Sequence, residues 1–394
     1  MNPMLNRLRL LTPGPTPMPE EVRLAMARDM IHHRKPAFKE IMARVQKGLR
    51  TLFGTEQPVL SLSCSGSGAM AAAVSNLFSP GERVIVAEAG KFGERWVEIA
   101  EHRGLQVTRM SFEWGTAVDP ARVAEELAAG KAKGGYAGLL VQVSETSTGV
   151  LHPLRELAKL TRDTDTLLLA DGISAVGVSP CPLDEWGMDC LVTGSQKGLM
   201  LPPGLAFAAL SEKAWRKAEN VTPGCYYFDL KEERAACDKQ QTRFTSAVGL
   251  MVGLDVALEL LLTPGLAALY RKQWALTRMA RAGIAAMGLP LYAAEHYTWG
   301  LTALAMPKGV DSSKVLAAAA KEHNVIMAGG QGHMKNYMVR VGHMGYVDFG
   351  DLAAGLFALA SALQAQGVRM AAPDYLEQAL AAYTQGLTEE PPLL

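Results

Sequence analysis

Short apolar runs alternate along the first half of the chain with segments whose apolar positions recur every three to four residues. The runs span 59–63, 83–87, 106–111, 138–143, 166–170, 190–193 and 206–210. Helical patterns at 93–102, 119–129 and 153–162 lie between most of them, and two more, 19–30 and 36–53, precede them. Each of these last two opens on a proline suited to a first helical turn. Buried strands alternating with amphipathic helices predict an α/β fold, a mainly parallel sheet covered on both faces. Beyond Ala247 the pattern changes to long helices at 248–262 and 266–287, then short strands and helices. Thr263-Pro264-Gly265 punctuates the two long helices. The expected organisation is an N-terminal arm over 1–18, a large domain over 19–263 and a small α+β domain over 264–394. Glu389-Glu390-Pro391-Pro392 reads as a frayed tail.

The 394 residues are 49% hydrophobic and carry 39 basic against 39 acidic side chains. That length allows roughly two to three domains of ~150 residues, with a cleft between them. A balanced charge without a Lys/Arg cluster argues against nucleic acid as a partner. Five scattered cysteines with no Cys-x-x-Cys pair read as reduced thiols, which predicts a cytoplasmic protein. No membrane span is expected. The charge-free stretch 57–81 is broken by Ser63-Cys64-Ser65-Gly66-Ser67-Gly68, and 352–368 reads as a buried helix. The N-terminus lacks acids until Glu20, but it holds only Arg7 and Arg9 and runs into Thr12-Pro13-Gly14-Pro15-Thr16-Pro17, an extended arm rather than a transit peptide.

Open parallel sheets bind ligands at the carboxyl ends of their strands, so polar residues there are the candidates for chemistry. Ser65-Gly66-Ser67-Gly68 follows a strand and precedes a helix expected from Ala69. Glycines admit close approach, and free amides at a helix N-terminus favour phosphate. A tight turn with a serine cap is the plainer reading. A rival is the dinucleotide fingerprint: Gly66-x-Gly68-x-x-Ala71 fits it, and Glu88 ends the next strand where a ribose-binding acid would sit. That would make the chain a nicotinamide-dependent dehydrogenase. Asp171 ends an apolar run, where a carboxylate is costly unless it meets a cation or caps a turn. Lys197 follows the next run in a charge-poor setting that should lower its pKa, as a Schiff-base lysine requires. A snorkelling surface lysine is the alternative. An anion cradle, a carboxylate for a pyridinium nitrogen and a lysine for an aldehyde together describe a pyridoxal 5'-phosphate site. The dinucleotide reading leaves Asp171 and Lys197 without work.

Six segments then stand in register: Pro13-Gly14-Pro15-Thr16-Pro17, Ser65-Gly66-Ser67-Gly68, Phe92-Gly93-Glu94-Arg95-Trp96, Glu145-Thr146-Ser147-Thr148-Gly149-Val150, Gly194-Ser195-Gln196-Lys197 and Arg340-Val341-Gly342-His343-Met344-Gly345. In their order and spacing the chain resembles the class V aminotransferases, in particular the alanine–glyoxylate / serine–pyruvate group, over essentially its whole length. The resemblance implies the aspartate-aminotransferase type of fold (fold type I), pyridoxal phosphate as cofactor, and amino transfer from alanine or serine to glyoxylate or pyruvate. Other small donors, ureidoglycine or an aminophosphonate, are the alternative, as is a non-catalytic relative of the fold.

Position by position, Lys197 resembles the Schiff-base lysine and Asp171 the partner of the ring nitrogen. Ser65, Gly66, Ser67 and Gln196 correspond to phosphate ligands, Phe92 to the stacking ring, Thr146 to the hydroxyl near the ring's 3-oxygen and Ile173 to the opposite face. Arg340 is similar to the arginine that clamps the substrate carboxylate. Thr245 falls where the family lends a phosphate ligand to the neighbouring subunit, which implies a homodimer with sites at its interface. Three positions depart from the family pattern. His32 replaces a glycine near the substrate carboxylate and is expected to reshape the pocket. Cys64 replaces a glycine in the phosphate loop, and the segment 241–246 lacks the usual prolines around Thr245. The eight histidines show no metal-binding spacing, so no metal is expected, and Cys181 and Cys190 read as core or surface thiols rather than catalytic ones.

Overall fold

The structure, a computed structural model, describes residues 7–392. The first six residues of the expected arm and the last two of the tail lie outside the described residues. The large sheet has seven strands, in the order Val59–Leu62, Ala206–Leu210, Cys190–Gly194, Leu167–Asp171, Gly138–Gln142, Arg83–Glu88 and Gln106–Ser111. All run parallel except Ala206–Leu210, which is antiparallel to both neighbours. The central strands are buried at every residue because helices cover both faces. One face packs on Phe38, Met42, Leu49 and Leu254, the other on Met70, Ala73 and Trp96. Burial on both sides is why these strands read as continuous apolar runs rather than alternating ones. The seven runs in the sequence are these seven strands, displaced by no more than a residue at either end.

The helix Pro36–Phe53 shows how local sequence sets an element. Pro36 occupies its first turn, Phe38, Met42, Val45, Leu49 and Leu52 repeat on one buried face, and Gly54 ends it at φ +58°. A Cβ on Gly54 would also lie 2.5 Å from that of Pro182, so glycine is needed twice over.

The small sheet runs Arg9–Leu11, Val325–Gly329, Met338–Gly342, Leu301–Ala305, around a core of Leu11, Leu276, Met279, Leu304, Val339 and Leu356. Its first strand changes the picture of the arm. Rather than extending freely, Arg9–Leu11 pairs in parallel with Val325–Met327, and the chain then turns at Gly14 (φ +130°) through a cis Gly14–Pro15 peptide. Two other expectations are corrected. The helix expected over 19–30 covers only Glu20–Met26, because Met30 is 76% exposed and has no core to reach. The tail is not frayed at Glu389, which accepts a hydrogen bond from Arg278 at 2.6 Å at the end of the helix Tyr375–Thr388. Among the described residues no single helix is long and apolar enough to cross a membrane, and the apolar pair Val248–Leu262 and Leu266–Ala286 bends by 84° at its break.

Gly342 is where the N-terminal segment seats on the small sheet: a Cβ there would lie 2.2 Å from the Thr12 carbonyl oxygen. Gly342→Ala should therefore lower stability by about 1–3 kcal/mol, the usual cost of overpacking. Urea unfolding checks this, and an unchanged midpoint would mean that the segment does not rest there.

Candidate active site

The carboxyl ends of the central strands surround a cavity of about 110 Å³. The structure brings together around it Ser65, Gly66, Ser67, Phe92, Thr146, Asp171, Ile173, Gln196 and Lys197, all singled out in the sequence. Arg95, Ser144 and Ser174 also line it and were not singled out, although Arg95 lies inside the Phe92–Trp96 segment.

The helix Gly66–Leu77 begins three residues earlier than expected, so the amides of Gly66 and Ser67 belong to its first turn. Amides there lack intrahelical acceptors and carry the positive end of the helix dipole. The Ser65 side chain makes no capping bond, which leaves its hydroxyl for a ligand. A Cβ on Gly66 would meet Ile173 Cδ1 at 2.5 Å, and one on Gly68 would meet Cys64 Sγ at 2.6 Å. Cys64 thus fills space that only a glycine at 68 leaves open.

Asp171 is buried, and its Oδ1 accepts the Ile173 N–H at 2.8 Å. Burial pushes its pKa up to about 7; the Ile173 hydrogen bond opposes this, Glu145 adds to it, and Lys197 and Arg95 pull the other way. Burial likewise lowers Lys197 to about 8, against the pull of Asp171 and with the help of Arg340 and Arg95. The Lys197 ammonium donates to the Pro13 carbonyl, and Thr16 secures the same turn by hydrogen bonds to the carbonyls of Gln196 (3.2 Å) and Lys197 (3.0 Å).

Arg340 rises from the strand Met338–Gly342, buried, with Nε donating to Gly329 O at 2.9 Å and Nη1 to Thr146 O at 2.8 Å. It has no carboxylate partner within ion-pair distance among the described residues. Burial lowers its pKa, and the nearby Glu145 opposes that. Glu145 is itself buried and accepts from the amides of Phe92 (3.1 Å), Gly93 (3.0 Å) and Ser147 (3.0 Å). It therefore ties the Phe92 ring to the turn that carries Thr146.

His32 and Thr245 do not line this cavity. His32 is exposed, stacks on His33 at 4.8 Å and accepts the Arg34 N–H at 3.1 Å. Thr245 is exposed, and both residues border an apolar surface groove with Met26, Met30 and Val248. Without prolines, the segment 241–246 is held by Arg34, which donates to Gln241 Oε1 (2.7 Å), Thr242 O (2.7 Å) and Arg243 O (2.9 Å), and by Glu233, which accepts the Arg243 N–H at 3.2 Å.

The dinucleotide reading fails on topology. Val59–Leu62 pairs only with the antiparallel Ala206–Leu210, and four strands separate it from Arg83–Glu88, so the glycine loop belongs to no parallel pair of neighbours. Glu88 is taken up by Arg109 (2.8 Å) and Ser111 (2.6 Å). Cys181 is buried, and burial pushes its thiol up to about 12, which leaves it unreactive.

The residues present fit pyridoxal phosphate. A buried carboxylate awaits a cation, the first-turn amides of Gly66 and Ser67 and the uncapping Ser65 hydroxyl offer donors to an anion, and the lysine amine lies in the same cavity.

The family model for "Aminotransferase class-V" matches residues 14–352. A protein of Synechococcus sp. named "Soluble hydrogenase, small subunit" is 37% identical, with 92% of this chain and 95% of that protein covered. The serine–glyoxylate aminotransferase of Methylorubrum extorquens is 32% identical over 92% of this chain and 93% of its own length. The crystal structure of an alanine–glyoxylate aminotransferase from Nostoc sp. superposes with a TM-score of 0.86 at 31% identity, covering 91% of this chain and 95% of that one.

The Asp171 shift has a measurable consequence. Its carboxyl titrates near 3.8 when unfolded and about 7 when folded, so between those values the folded state holds the extra proton. Its contribution to stability is therefore lost as pH rises from about 4 to about 7. Asp171→Asn removes that loss. In the cofactor-free protein the melting-temperature advantage of the variant should grow over this interval and then level off. A pH-independent difference would show that the carboxyl is not desolvated.

Proposed function

The chain belongs to the class V aminotransferases, and on that premise we propose that it moves an amino group from alanine or serine to glyoxylate or pyruvate, with pyridoxal 5'-phosphate in the cavity. The observation that carries this reading is the pair Asp171 and Lys197 in the cavity at the ends of the large-sheet strands, with the buried Arg340 of the small sheet bonded to the carbonyl of Thr146 in the cavity wall. Ser65, Gly66, Ser67 and Gln196 would hold the phosphate, Thr146 the ring's 3-oxygen, and Phe92 and Ile173 the ring faces. When bound, the cofactor supplies an electron-withdrawing ring that makes the substrate Cα proton removable. Asp171 would hold a proton on the ring nitrogen. Lys197, whose amine burial lowers to about 8, would be the group that moves the proton between the substrate Cα and C4′. Arg340 binds the carboxylate common to donor and acceptor, with its planar fork already fixed by two carbonyls. Cys64, the thiol next to the phosphate loop, is kept protonated by burial, with a pKa of about 12, and takes no part.

We also infer a homodimer. The groove that holds His32 and Thr245 is apolar, and Met30 beside it is 76% exposed, so a second copy would cover it and receive Thr245 at its phosphate. His32 would then act on the neighbour's pocket. Free thiols at all five cysteines fit the cytoplasm. Residues 19–263 and 264–394 would form the two domains, since the hydrophobic cores separate near Thr263, with Leu11 reaching across to the small one.

A screen of amino donors against keto-acid acceptors tests the activity: alanine or serine with glyoxylate or pyruvate should give the fastest turnover, and no transamination with any pair would end the reading. Arg340→Ala should weaken amino acid and keto acid alike, by roughly 30-fold or more, because truncating a desolvated charge pair costs ~2–5 kcal/mol. A surface ion pair would contribute only ~0–1 kcal/mol. Binding titrations decide, and unchanged affinity for either substrate would remove Arg340 from the clamp.

A further inference from the structure

Arg95 is a cation in the cavity to which the reading above gives no task. It projects from the helix Lys91–His102, donates from Nη1 to Ser67 Oγ at 3.1 Å and lies 4.9 Å from the centroid of the Phe92 ring. No carboxylate stands within ion-pair distance of it among the described residues. Its neighbour Glu94 is taken up by Lys91 at 2.5 Å, and Glu88 by Arg109 at 2.8 Å. The charge of Arg95 nevertheless reaches the centre of the site, where it acts on both Asp171 and Lys197.

The phosphate cradle, by contrast, is built of neutral donors: the hydroxyls of Ser65 and Ser67, the first amides of a helix and the Gln196 amide. A phosphate monoester carries about −1.5 to −2 charges near neutral pH. Neutral donors and a helix terminus worth roughly half a charge do not balance that in a desolvated cavity. Arg340 is turned to Thr146 and Gly329, and Lys197 is committed to the aldehyde, so neither supplies the balance. We propose that Arg95, positioned by Ser67 and the Phe92 ring, is the counter-cation of the cofactor phosphate. This rests on the pyridoxal phosphate reading.

Chemistry separates the two. Cofactor-free wild type, Arg95→Gln and Arg95→Lys are titrated with pyridoxal 5'-phosphate, with pyridoxal, which lacks the phosphate, and with inorganic phosphate. Arg95→Gln should weaken pyridoxal phosphate and inorganic phosphate by about 10- to 100-fold, the worth of a hydrogen bond to a charged group. Pyridoxal affinity should stay within roughly twofold, and lysine should recover part of the loss, since it keeps the charge without the fork. Equal losses for pyridoxal and its phosphate would overturn the proposal and leave Arg95 a support for the Phe92 ring. Unchanged cofactor affinity with weakened aspartate binding would also overturn it, assigning the guanidinium to a substrate's second carboxylate. Wild type that binds neither aldehyde would instead bring down the cofactor reading itself. Should Arg95→Gln not fold, Arg95→Lys carries the comparison, with the same selective loss for the phosphorylated ligands expected in smaller measure.

Discussion

Asp171 and Lys197 have to be kept dry in the same small cavity, and most of the molecule's polar detail follows from that. Removing a carboxylate or an ammonium from water costs several kcal/mol after relaxation, and each group here shifts toward its neutral form in response. The two do not meet as an ion pair. The backbone compensates them instead, the Ile173 amide for the carboxylate and the Pro13 carbonyl for the ammonium. Such compensation is possible only where the apolar strands end, because the strands themselves are buried on both faces and spend their amides on each other. Gly14 belongs to the same solution: a Cβ there would lie 2.6 Å from Lys197 Cδ, so the carbonyl of Pro13 reaches the amine only past a residue with no side chain.

The same need binds the two sheets together. The N-terminal segment is a strand of the small sheet at Arg9–Leu11 and a partner of Lys197 at Pro13 and Thr16, and Gly342 holds it against the small sheet in between. Arg340 spans the cleft in the other direction, since it leaves a small-sheet strand and donates to the Thr146 carbonyl. The turn that receives it is a hairpin of Ser144–Glu145 and Val150–Leu151, pinned to the small-sheet side by Ser144 Oγ and Thr298 Oγ1 at 2.6 Å and by Leu151 N–H to His296 O at 2.6 Å. Arg340 and Thr146 are thus aligned before any ligand arrives, which reduces the ordering cost of binding one.

The strands were legible in the sequence because two-sided burial leaves an unbroken apolar run, and the cavity residues were legible because they follow those runs directly. What could not be read there depended on partners remote in sequence. The 19–30 pattern has helical spacing to its end, but only its first part meets a core, so the helix stops at Met26. Glu88 carries no sign in its own neighbourhood that Arg109 and Ser111 of the adjacent strand absorb it. Arg95 sits one helical turn beyond Phe92, and whether it faces solvent or the cavity is set by the phase of that helix against Ser67. His32 and Thr245 are the least legible, because they border a surface groove and do not line their own chain's cavity.

Charge balance closes the argument. Lys197, Arg95 and Asp171 line the cavity, Arg340 and Glu145 adjoin it at Thr146, and Glu145 is already surrounded by amide donors. The positive side is in excess at Arg95 and Arg340, while burial holds Asp171 up at about 7, a shift that the nearby Lys197 and Arg95 offset only in part. On the proposed reading each bound group answers one of these mismatches. A protonated ring nitrogen beside Asp171 draws its pKa down and keeps it ionised, a phosphate answers Arg95, and a substrate carboxylate answers Arg340. Separately, each of these charges is a destabilising burial in the empty protein; together with their ligands they become compensated pairs. Ligands that bind only the folded chain must then stabilise it through the very groups that strain it without them.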